Sequence, residues 1–427
     1  MREMKDSGVD WIGEIPRDWE IVQTKRVFRS IKRVVGNQVG EYERLALTLN
    51  GVIKRSKEDN EGLQPEKFEG YQILKENELV FKLIDLENVK TSRVGLSSYT
   101  GLVSPAYIVL TNESKDNRFY YYWFMFMYYN EVFNHLGGDG VRSALNAKDL
   151  TVIPVPFINE CKQHRIADYL DEKCSKIDAI IKKQQTVIEK LKAYKLSVIT
   201  ETVTKGLNPD VKMKDSGIKW VDSIPSKWEN RKILSILSMR VVDGPHESPE
   251  LFDEGIPYIS ATAVVNGKID FSLMRGYISS EYCDECDKRY KPKQGDILVI
   301  KLGASTGKVA MVETNDRFNI WVPLAAVRCN EEAFPRFVYY AFQSDYFLRQ
   351  MELSWTFGTQ QTLGVKTIEQ LRILVPPISE QGEISTYLDI KCSAIDNVIA
   401  HKEAIIETLT SYKKSLIYEV VTGKKEI

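Results

Sequence analysis

Residues 4–20 read MKDSGVDWIGEIPRDWE, and residues 213–229 read MKDSGIKWVDSIPSKWE. The two stretches begin 209 residues apart and place Ser, Gly, Trp, Ile and Pro at the same points. Further along, the offset grows to 218 residues, as in Pro105 with Pro323, Asn112 with Asn330, Arg118 with Arg336, and Tyr121 with Tyr339. Two copies of one sequence fold into two units of one kind, so the repeat predicts a duplicated architecture.

Each copy ends its globular part with a pair of prolines and then continues into a long apolar-periodic segment. The apolar residues recur with the 3-4 spacing that is typical of a coiled coil. The predicted seam consists of Leu170, Ile177, Ile180, Val187 and Leu191 in the first helix and Leu388, Ile395, Val398, Ile405 and Leu409 in the second. An apolar stripe needs a partner, and the helix of the other copy offers one. This predicts an antiparallel helix pair with internal pseudo-twofold symmetry, and the alternative is that each helix packs on its own globular domain.

The globular parts combine short β-rich segments, such as 255–260 and 295–301, with one aromatic run per copy. Turn residues bound the β-rich segments, as expected for strands. The aromatic runs, 119–129 and 337–347, predict core helices rather than base-stacking platforms, which expose only a few rings. We therefore predict an α/β (α+β) fold with globular domains at 1–158 and 207–378, a central helix at 159–206 and a distal helix at 379–427.

Composition places the chain among globular proteins, with 43% hydrophobic and 27% charged residues in 427. No apolar run reaches membrane-spanning length, the first residues lack a secretory signal, and the six cysteines form no regular framework. These features predict a cytoplasmic protein. The net charge of -1 means that any nucleic-acid surface must be a local cluster of basic residues.

Motifs that would carry chemistry are incomplete. Residues 303–308 resemble a phosphate-binding loop, but only three residues separate the glycines and Val309 follows the lysine, so DNA phosphate contact or an ordinary hairpin turn is favoured over nucleotide binding. Cys283 and Cys286 form a lone CxxC without a second ligand pair, so we predict no metal site. Methyltransferase and nuclease motifs are absent from the sequence, and we predict no catalytic residue.

The order of these elements resembles the specificity subunit of type I restriction-modification enzymes over essentially the whole chain. The matching motifs are SGxxWxGxIPxxW-like segments at 7–19 and 216–228, the proline pairs at 153–156 and 375–377, Tyr-Leu-Asp at 169–171 and 387–389, and the closing segments 203–206 and 421–423. Two departures are visible. Glu160 and Gln163 are not adjacent as Glu380 and Gln381 are, and the closing glycine of the second copy, Gly423, precedes its lysine.

The resemblance implies a non-catalytic subunit with two target-recognition domains, each of which reads one half of an interrupted double-stranded DNA site. It also implies that the helices set the spacer between the half-sites and dock methyltransferase (modification) subunits. We expect two modification subunits and two restriction subunits, with S-adenosylmethionine, ATP and Mg on those partners and no cofactor in this chain. The alternatives left open are a self-contained DNA-modifying enzyme and a protein scaffold.

Candidate DNA contacts follow from residue type, because Arg and Lys bind guanine or phosphate while Asn and Gln bind adenine edges. In the first copy they are Lys32, Arg33, Lys54, Arg55, Lys57, Arg142 and Asn146. In the second copy they are His246, Ser305, Thr306, Lys308, Thr359, Gln360 and Gln361. For each of them the alternative is a solvated surface residue.

Overall fold

The computed structural model describes residues 3–49, 51–57, 67–84, 86, 93–136, 144–358 and 360–427. The chain forms two compact units, and each unit takes a segment from both long helices. The first unit comprises Met1–Gln184 with Glu403–Ile427, and the second comprises Gln185–Lys402. The two boundaries, after Gln184 and after Lys402, lie 218 residues apart, so they fall at equivalent points of the repeat.

The first unit begins with a β-rich part that leads into helices. Its strands are β1 (Met4–Asp6), β2 (Glu14–Pro16), β3 (Glu20–Gln23), β4 (Arg29–Ser30), β5 (Arg44–Thr48), β6 (Gly51–Arg55), β7 (Gln72–Leu74), β8 (Leu79–Phe81), β9 (Val94–Leu96), β10 (Gly101–Val103), β11 (Ile108–Thr111) and β12 (Pro154–Phe157). The helices are α1 (Arg118–Tyr129), α2 (Val132–Leu136), α3 (Ala147–Val152) and the first part of α4 (Glu160–Lys205).

The second unit repeats this order. Its strands are β13 (Met213–Ile218), β14 (Val221–Pro225), β15 (Glu229–Lys232), β16 (Val242–Asp243), β17 (Ile256–Ile259), β18 (Val264–Val265), β19 (Lys268–Ile269), β20 (Gly276–Ile278), β21 (Ile297–Ile300), β22 (Val309–Met311), β23 (Asn319–Ile320), β24 (Leu324–Val327), β25 (Thr356–Phe357), β26 (Gln361–Thr362) and β27 (Arg372–Val375). The helices are α5 (Ser280–Arg289), α6 (Pro335–Gln343), α7 (Asp345–Leu353), α8 (Val365–Gln370) and the first part of α9 (Ile378–Val421).

The sheet topology carries the same repeat. In the first unit the strand orders are β6-β5-β10-β7 and β4-β11-β8-β9, and in the second they are β20-β17-β23 and β16-β24-β21-β22. Each unit contains a parallel pair, β5 with β10 or β17 with β23, beside antiparallel neighbours. The proline segment that ends each copy forms a strand, β12 or β27, and pairs antiparallel with the strand after the second tryptophan of the copy, β3 or β15. The predicted α/β (α+β) class and internal repeat are confirmed.

The aromatic runs lie in the core. In α1, Phe119, Trp123, Phe124 and Phe126 are buried, and in the second unit Phe337, Phe342 and Phe347 are buried. Phe81 meets Phe124 edge to face with ring centroids 4.9 Å apart, a favourable arrangement for aromatic pairs. These rings pack the domains and are not available for stacking on bases.

Both long helices contribute to the core of each unit. In the first unit, Leu170 and Ile177 of α4 share one hydrophobic cluster with Leu416 and Val420 of α9. In the second unit the roles are exchanged. Its core cluster includes Ile199 and Val203 from α4 and Ile384, Leu388 and Cys392 from α9. The predicted helix pair and the alternative, packing on a globular domain, therefore occur together. Each helix segment packs on a globular domain and shares that core with a segment of the other helix.

Two contacts show that the helix segments of the first unit run antiparallel. In the first unit Lys413 Nζ lies 2.6 Å from Asp178 Oδ2, and Arg165 hydrogen-bonds the carbonyl oxygen of Ile427, so the partner number falls as the α4 number rises. In the second unit Lys195 Nζ lies 2.6 Å from Asp396 Oδ2. The two ion pairs are equivalent under the 218-residue repeat, with Asp178 matching Asp396 and Lys195 matching Lys413.

The predicted seam is wrong at Ile180 and Val398, whose exposed fractions are both 45%. The buried side passes instead through Ile188 and Ile399, while Val187, Leu191, Ile405 and Leu409 are half-buried. Leu170, Ile177, Leu388 and Ile395 are buried. The shift has a simple cause. Adjacent apolar residues make the 3-4 pattern ambiguous by one position, and the buried Cys174 and Cys392, which continue the seam from Leu170 and Leu388, do not stand out as apolar.

A glycine with positive φ follows the end of each long helix. Gly206 has φ +76° and Gly423 has φ +70°, the left-handed geometry that commonly closes a helix. Each glycine lies against the tryptophan- and proline-containing segment of its unit, 7–19 or 216–228, which we call the Trp-Pro motif. A Cβ on Gly206 would lie 3.3 Å from Trp228, and one on Gly423 would lie 2.4 Å from Pro16 Cγ. The rearranged closing sequence therefore keeps a glycine in the same role, one residue earlier.

We expect Gly423→Ala to lower the free energy of unfolding by roughly 1–3 kcal/mol, because the new Cβ combines an unfavourable φ with a clash against Pro16. Gly382→Ala, in the first turns of α9, is the matched control. Nothing lies within 4 Å of a Cβ there, so we expect it to raise stability by about 0.5–1 kcal/mol. Chemical denaturation of both variants measures the difference, and equal effects would contradict this account of the glycine.

Candidate nucleic-acid interface

Three segments of the second unit that are predicted to contact DNA meet at Lys301. The Lys301 Nζ atom lies 2.9 Å from Asp243 Oδ2. The Lys301 carbonyl oxygen accepts a hydrogen bond from the Leu363 amide at 2.8 Å, and the Gly303 amide donates to the Gln361 carbonyl oxygen at 3.0 Å. The loop between β21 and β22, the segment around β26 and the segment after β16 thus form one continuous surface region, which we call the Lys301 region.

Asp243 is the electrostatic centre of this region. Its carboxylate is buried and pairs with Lys301 and Arg289, and the His246 ring lies 3.3 Å away. Burial alone raises the pKa of Asp243, but the hydrogen bond and charge of Lys301 and the charges of Arg289 and His246 lower this pKa below its usual value. The carboxylate therefore stays ionised and holds three cationic or titratable groups in place.

The adjoining backbone is packed closely. A Cβ on Gly244 would lie 2.2 Å from the Ile320 carbonyl oxygen, so only glycine fits at this position. The Val322 amide donates to the Pro245 carbonyl oxygen at 3.2 Å, and Trp321 Nε1 donates to the Glu247 carbonyl oxygen at 3.1 Å. These contacts hold the segment that carries His246 against the end of β23.

The Lys301 region presents several polar groups to solvent. Lys308 and Gln360 are exposed, and the His246 side chain is 68% exposed. Within the described part of the chain, the Lys308 side chain makes no hydrogen bond or ion pair. Gln361 and Ser305 are half-buried beside them. A lysine and amide side chains on one surface are the groups that bind phosphate and adenine edges.

Thr306 is less accessible than the other candidates of this region. It is 7% exposed, and its hydroxyl donates to the Gly303 carbonyl oxygen at 2.7 Å. The hydroxyl therefore closes the turn between β21 and β22. Because a strand, and not a helix, follows this loop, it lacks the helix N-terminus of a nucleotide-binding phosphate loop.

Several basic residues of the first unit are committed to internal partners. Arg33 pairs with the buried Glu78 at 2.9 Å, and Lys57 Nζ donates to the Val39 carbonyl oxygen at 2.6 Å. Lys54 pairs with Glu43 at 2.6 Å, and both side chains are exposed. The early basic cluster is therefore less available for phosphate than the sequence indicates, since partner carboxylates and carbonyl oxygens already use these cations.

The other first-unit candidates have different surroundings. Lys32 is exposed, and Arg55 lies opposite Arg44 in the β5–β6 pair. Asn146 is the N-cap of α3, and its side-chain oxygen accepts from the Lys148 and Asp149 amides. That oxygen stabilises the helix start, so any DNA contact would use the amide nitrogen. Arg142 and Thr359 lie outside the described residues.

Lys301, Arg289 and the stacked pair of Arg275 and Trp321 are not among the contacts predicted from the sequence. The Arg275 guanidinium lies 3.4 Å from the centroid of the Trp321 ring, an arrangement favourable for a cation and an aromatic face. No local pattern could have revealed these residues, because their partners lie tens of positions away along the chain.

The lone CxxC lies on α5. Cys283 and Cys286 are both buried, and burial raises the pKa of the Cys283 thiol to about 11. Among the residues that the structure describes, no three His, Cys, Asp or Glu side chains are grouped so as to hold a metal ion. A helix long and apolar enough to cross a membrane is likewise not found in the described ranges.

Comparison with known proteins gives a consistent result. The family model described as type I restriction modification DNA specificity domain matches the chain twice, at residues 16–190 and 225–411. The specificity subunit of the type I restriction enzyme MjaX from Methanocaldococcus jannaschii is 23% identical, and the match covers 97% of this chain and 95% of that protein. The EcoBI specificity subunit of Escherichia coli is 24% identical, over 69% of this chain and 66% of that protein.

The fold is also similar to a solved structure. The TM-score is 0.66 for a chain solved in a study of the structural basis of complex assembly and conformational transition of the type I R-M system. The match has 13% sequence identity and covers 96% of this chain and 99% of the other. Together with the duplicated match to the family model, these findings show that the chain belongs to the family of type I restriction-modification DNA specificity subunits and carries two recognition domains.

Proposed function

We propose that each recognition domain reads one half of an interrupted double-stranded DNA site and that α4 and α9 set the spacer between the halves. The observation that supports the DNA-reading role is the Lys301 region, where three segments that carry candidate contacts meet. For the domain limits we retain 1–158 and 207–378, with helices at 159–206 and 379–427.

The contacting side chains that we propose in the second domain are Lys308, Gln360, Gln361, Ser305 and His246. Lys308 suits phosphate, while Gln360 and Gln361 suit the edge of an adenine. In the first domain we retain Lys32, Arg55, Arg142 and Asn146. The described ion pairs of the second domain support this, since Asp243 neutralises the buried Lys301 and leaves the exposed Lys308 to present its charge.

We also propose that the chain is non-catalytic and works in the cytoplasm with two modification and two restriction subunits. In that assembly the partner subunits bind S-adenosylmethionine, ATP and Mg. Exposed apolar residues on the helices support two equivalent docking sites for modification subunits. Ile180 and Tyr412 belong to the first unit, and their repeat equivalents Val398 and Tyr194 belong to the second; all four are exposed. Exposed apolar residues that recur with the repeat fit two copies of one partner.

A sequence-specific footprint separates this function from a scaffold role. The purified chain with its modification subunits is expected to protect two short stretches separated by an unprotected spacer on its genomic site and to leave a scrambled site unprotected. Equal protection of both DNAs would indicate a scaffold. Methylation by the chain alone, without partners, would indicate a self-contained enzyme.

Lengthening both helices tests the spacer role. We insert four residues after Gln184 and four after Lys402, at the equivalent boundaries of the two units. Each helix gains about 6 Å, and one base-pair step is about 3.4 Å, so the spacer is expected to grow by about one or two base pairs. Single-molecule sequencing of host DNA methylation measures the spacer. Alanine substitution of Gln185 and Glu403, which keeps the helix length, is the control. An unchanged spacer in the insertion variant would contradict the proposed spacer role of the helices.

Domain exchange tests whether each recognition domain reads its half-site independently of the other. Replacing residues 20–150 by the equivalent segment of another family member is expected to change one half-site and to leave the other half-site and the spacer unchanged. The same methylation sequencing provides the readout. A change in both halves would show that the two domains do not read independently.

Two substitutions in the Lys301 region separate phosphate contact from base contact. Lys308→Ala is expected to weaken binding to all sequences equally and to reduce the slope of log K against log salt by about 1. Gln360→Ala is expected to cost about 1–3 kcal/mol on the genomic site alone. Anisotropy titrations of the assembled complex at several salt concentrations measure both. Lys214→Ala, an exposed lysine of β13, is the control, and a Gln360 effect that is equal on scrambled DNA would remove the base-reading role.

A further inference from the structure

An aspartate of each Tyr-Leu-Asp motif joins a long helix to a recognition domain. In the first unit, Arg118 Nη1 lies 2.6 Å from Asp171 Oδ2, and the Tyr122 hydroxyl donates to Asp171 Oδ1 at 2.7 Å. Arg118 and Tyr122 lie on α1 of the globular domain, and Asp171 lies on α4. We call this group the clasp. It connects an element of the DNA-reading domain to the helix by charge-assisted hydrogen bonds.

The second unit contains the same clasp. Arg336 Nε lies 2.7 Å from Asp389 Oδ1, and the Tyr340 hydroxyl donates to the same oxygen at 2.5 Å. Each of these three residues lies 218 positions after its counterpart. The two aspartates even share an exposed fraction, 41%. Two copies with otherwise different loops thus keep one set of contacts between the domain and its helix.

The clasp is stiff for physical reasons. Burial, reinforced by the nearby aspartate, raises the pKa of both Tyr122 and Tyr340, so each phenol stays protonated and donates. Both tyrosine side chains are fixed by packing, because Tyr122 and Tyr340 are buried. In the first unit Arg118 also binds Asp116 and Asp168, and in the second unit Arg336 also binds Glu313. These extra partners hold Arg118 to both its domain and α4, and they hold Arg336 to its domain.

We propose that the clasp is a positioning device for spacer specificity, and that it makes each recognition domain reject half-sites at the wrong separation. This inference rests on the proposed spacer role of the helices. Adding one base pair moves the second half-site by about 3.4 Å and rotates it by about 34°. A rigid domain–helix joint cannot follow that displacement, whereas a loosened joint follows it at small cost. Arg118, Tyr122, Arg336 and Tyr340 thus act on DNA through Asp171 and Asp389 and do not touch it.

The test uses the full chain expressed with its modification subunits in a host that lacks other DNA methylation. We compare the wild type with the paired variant Asp171→Asn/Asp389→Asn, using methylation sequencing of the whole genome. Wild-type protein is expected to modify one spacer length. The paired variant is expected to modify, in addition, sites whose spacer is one base pair longer or shorter, with the preference for the native spacer reduced about tenfold. The half-site sequences are expected to stay unchanged.

Two further variants keep the test decisive. Tyr122→Phe/Tyr340→Phe removes only the hydroxyl groups and preserves the packed rings. It therefore tests the effect of the clasp on spacer preference even if the aspartate variant fails to fold. Glu172→Gln is the matched control, because Glu172 is next to Asp171 on α4 and its ion pairs with described residues lie along the helix, with Lys176 at 2.6 Å and Lys173 at 3.8 Å. It is expected to keep a single spacer.

A single spacer in both clasp variants overturns the proposal, and so does a change in the half-site sequences. Loss of methylation in both variants also overturns it, because the clasp would then serve folding or assembly and not spacing. The failure of the spacer role itself looks different. If the helices do not set the spacer, the helix insertions leave the spacer unchanged. If only the proposed role of the clasp is wrong, the insertions still lengthen the spacer and the clasp variants modify a single spacer length.

Discussion

Each unit buries the start of one long helix and the end of the other, and the rest of the structure depends on this shared burial. Leu170 and Val420 lie in one core, and Leu388 and Val203 lie in the other. A helix of this length has an apolar stripe that no single small domain covers. Because both cores use both helices, neither helix is an appendage of the domain that precedes it in sequence.

Two contacts repeat at the junction of each domain with its helices. Near the start of a helix, an aspartate accepts hydrogen bonds from an arginine and a tyrosine of the adjacent globular domain. At the end of the other helix, a left-handed glycine lies against the Trp-Pro motif. The motifs that identify the family are thus explained by attachment of domains to helices, while the surfaces proposed to read DNA lie elsewhere in the domains and differ between the copies.

The Lys301 region, which we propose reads DNA, lies in a chain whose net charge is -1. Asp243 compensates the charge of the buried Lys301, and it also pairs with Arg289, whose side chain is 52% exposed and reaches water. Lys308 at the exposed edge remains available for phosphate. The first unit uses its charges differently, since Arg33 and Lys54 pair with Glu78 and Glu43.

The sequence by itself determined the duplication, the two long helices, the mixed α/β class and the family, because repeats and helical periodicity are recorded in local spacing. Only the tertiary structure decided which helix face is buried, since the apolar neighbours Ile180 and Ile181 satisfy the 3-4 pattern almost equally well. Only the tertiary structure also showed that Thr306 closes a turn, that Asn146 caps a helix, and that Lys301 joins Asp243. The role of a polar side chain depends on the partner that folding brings beside it, and that partner is usually distant in the chain.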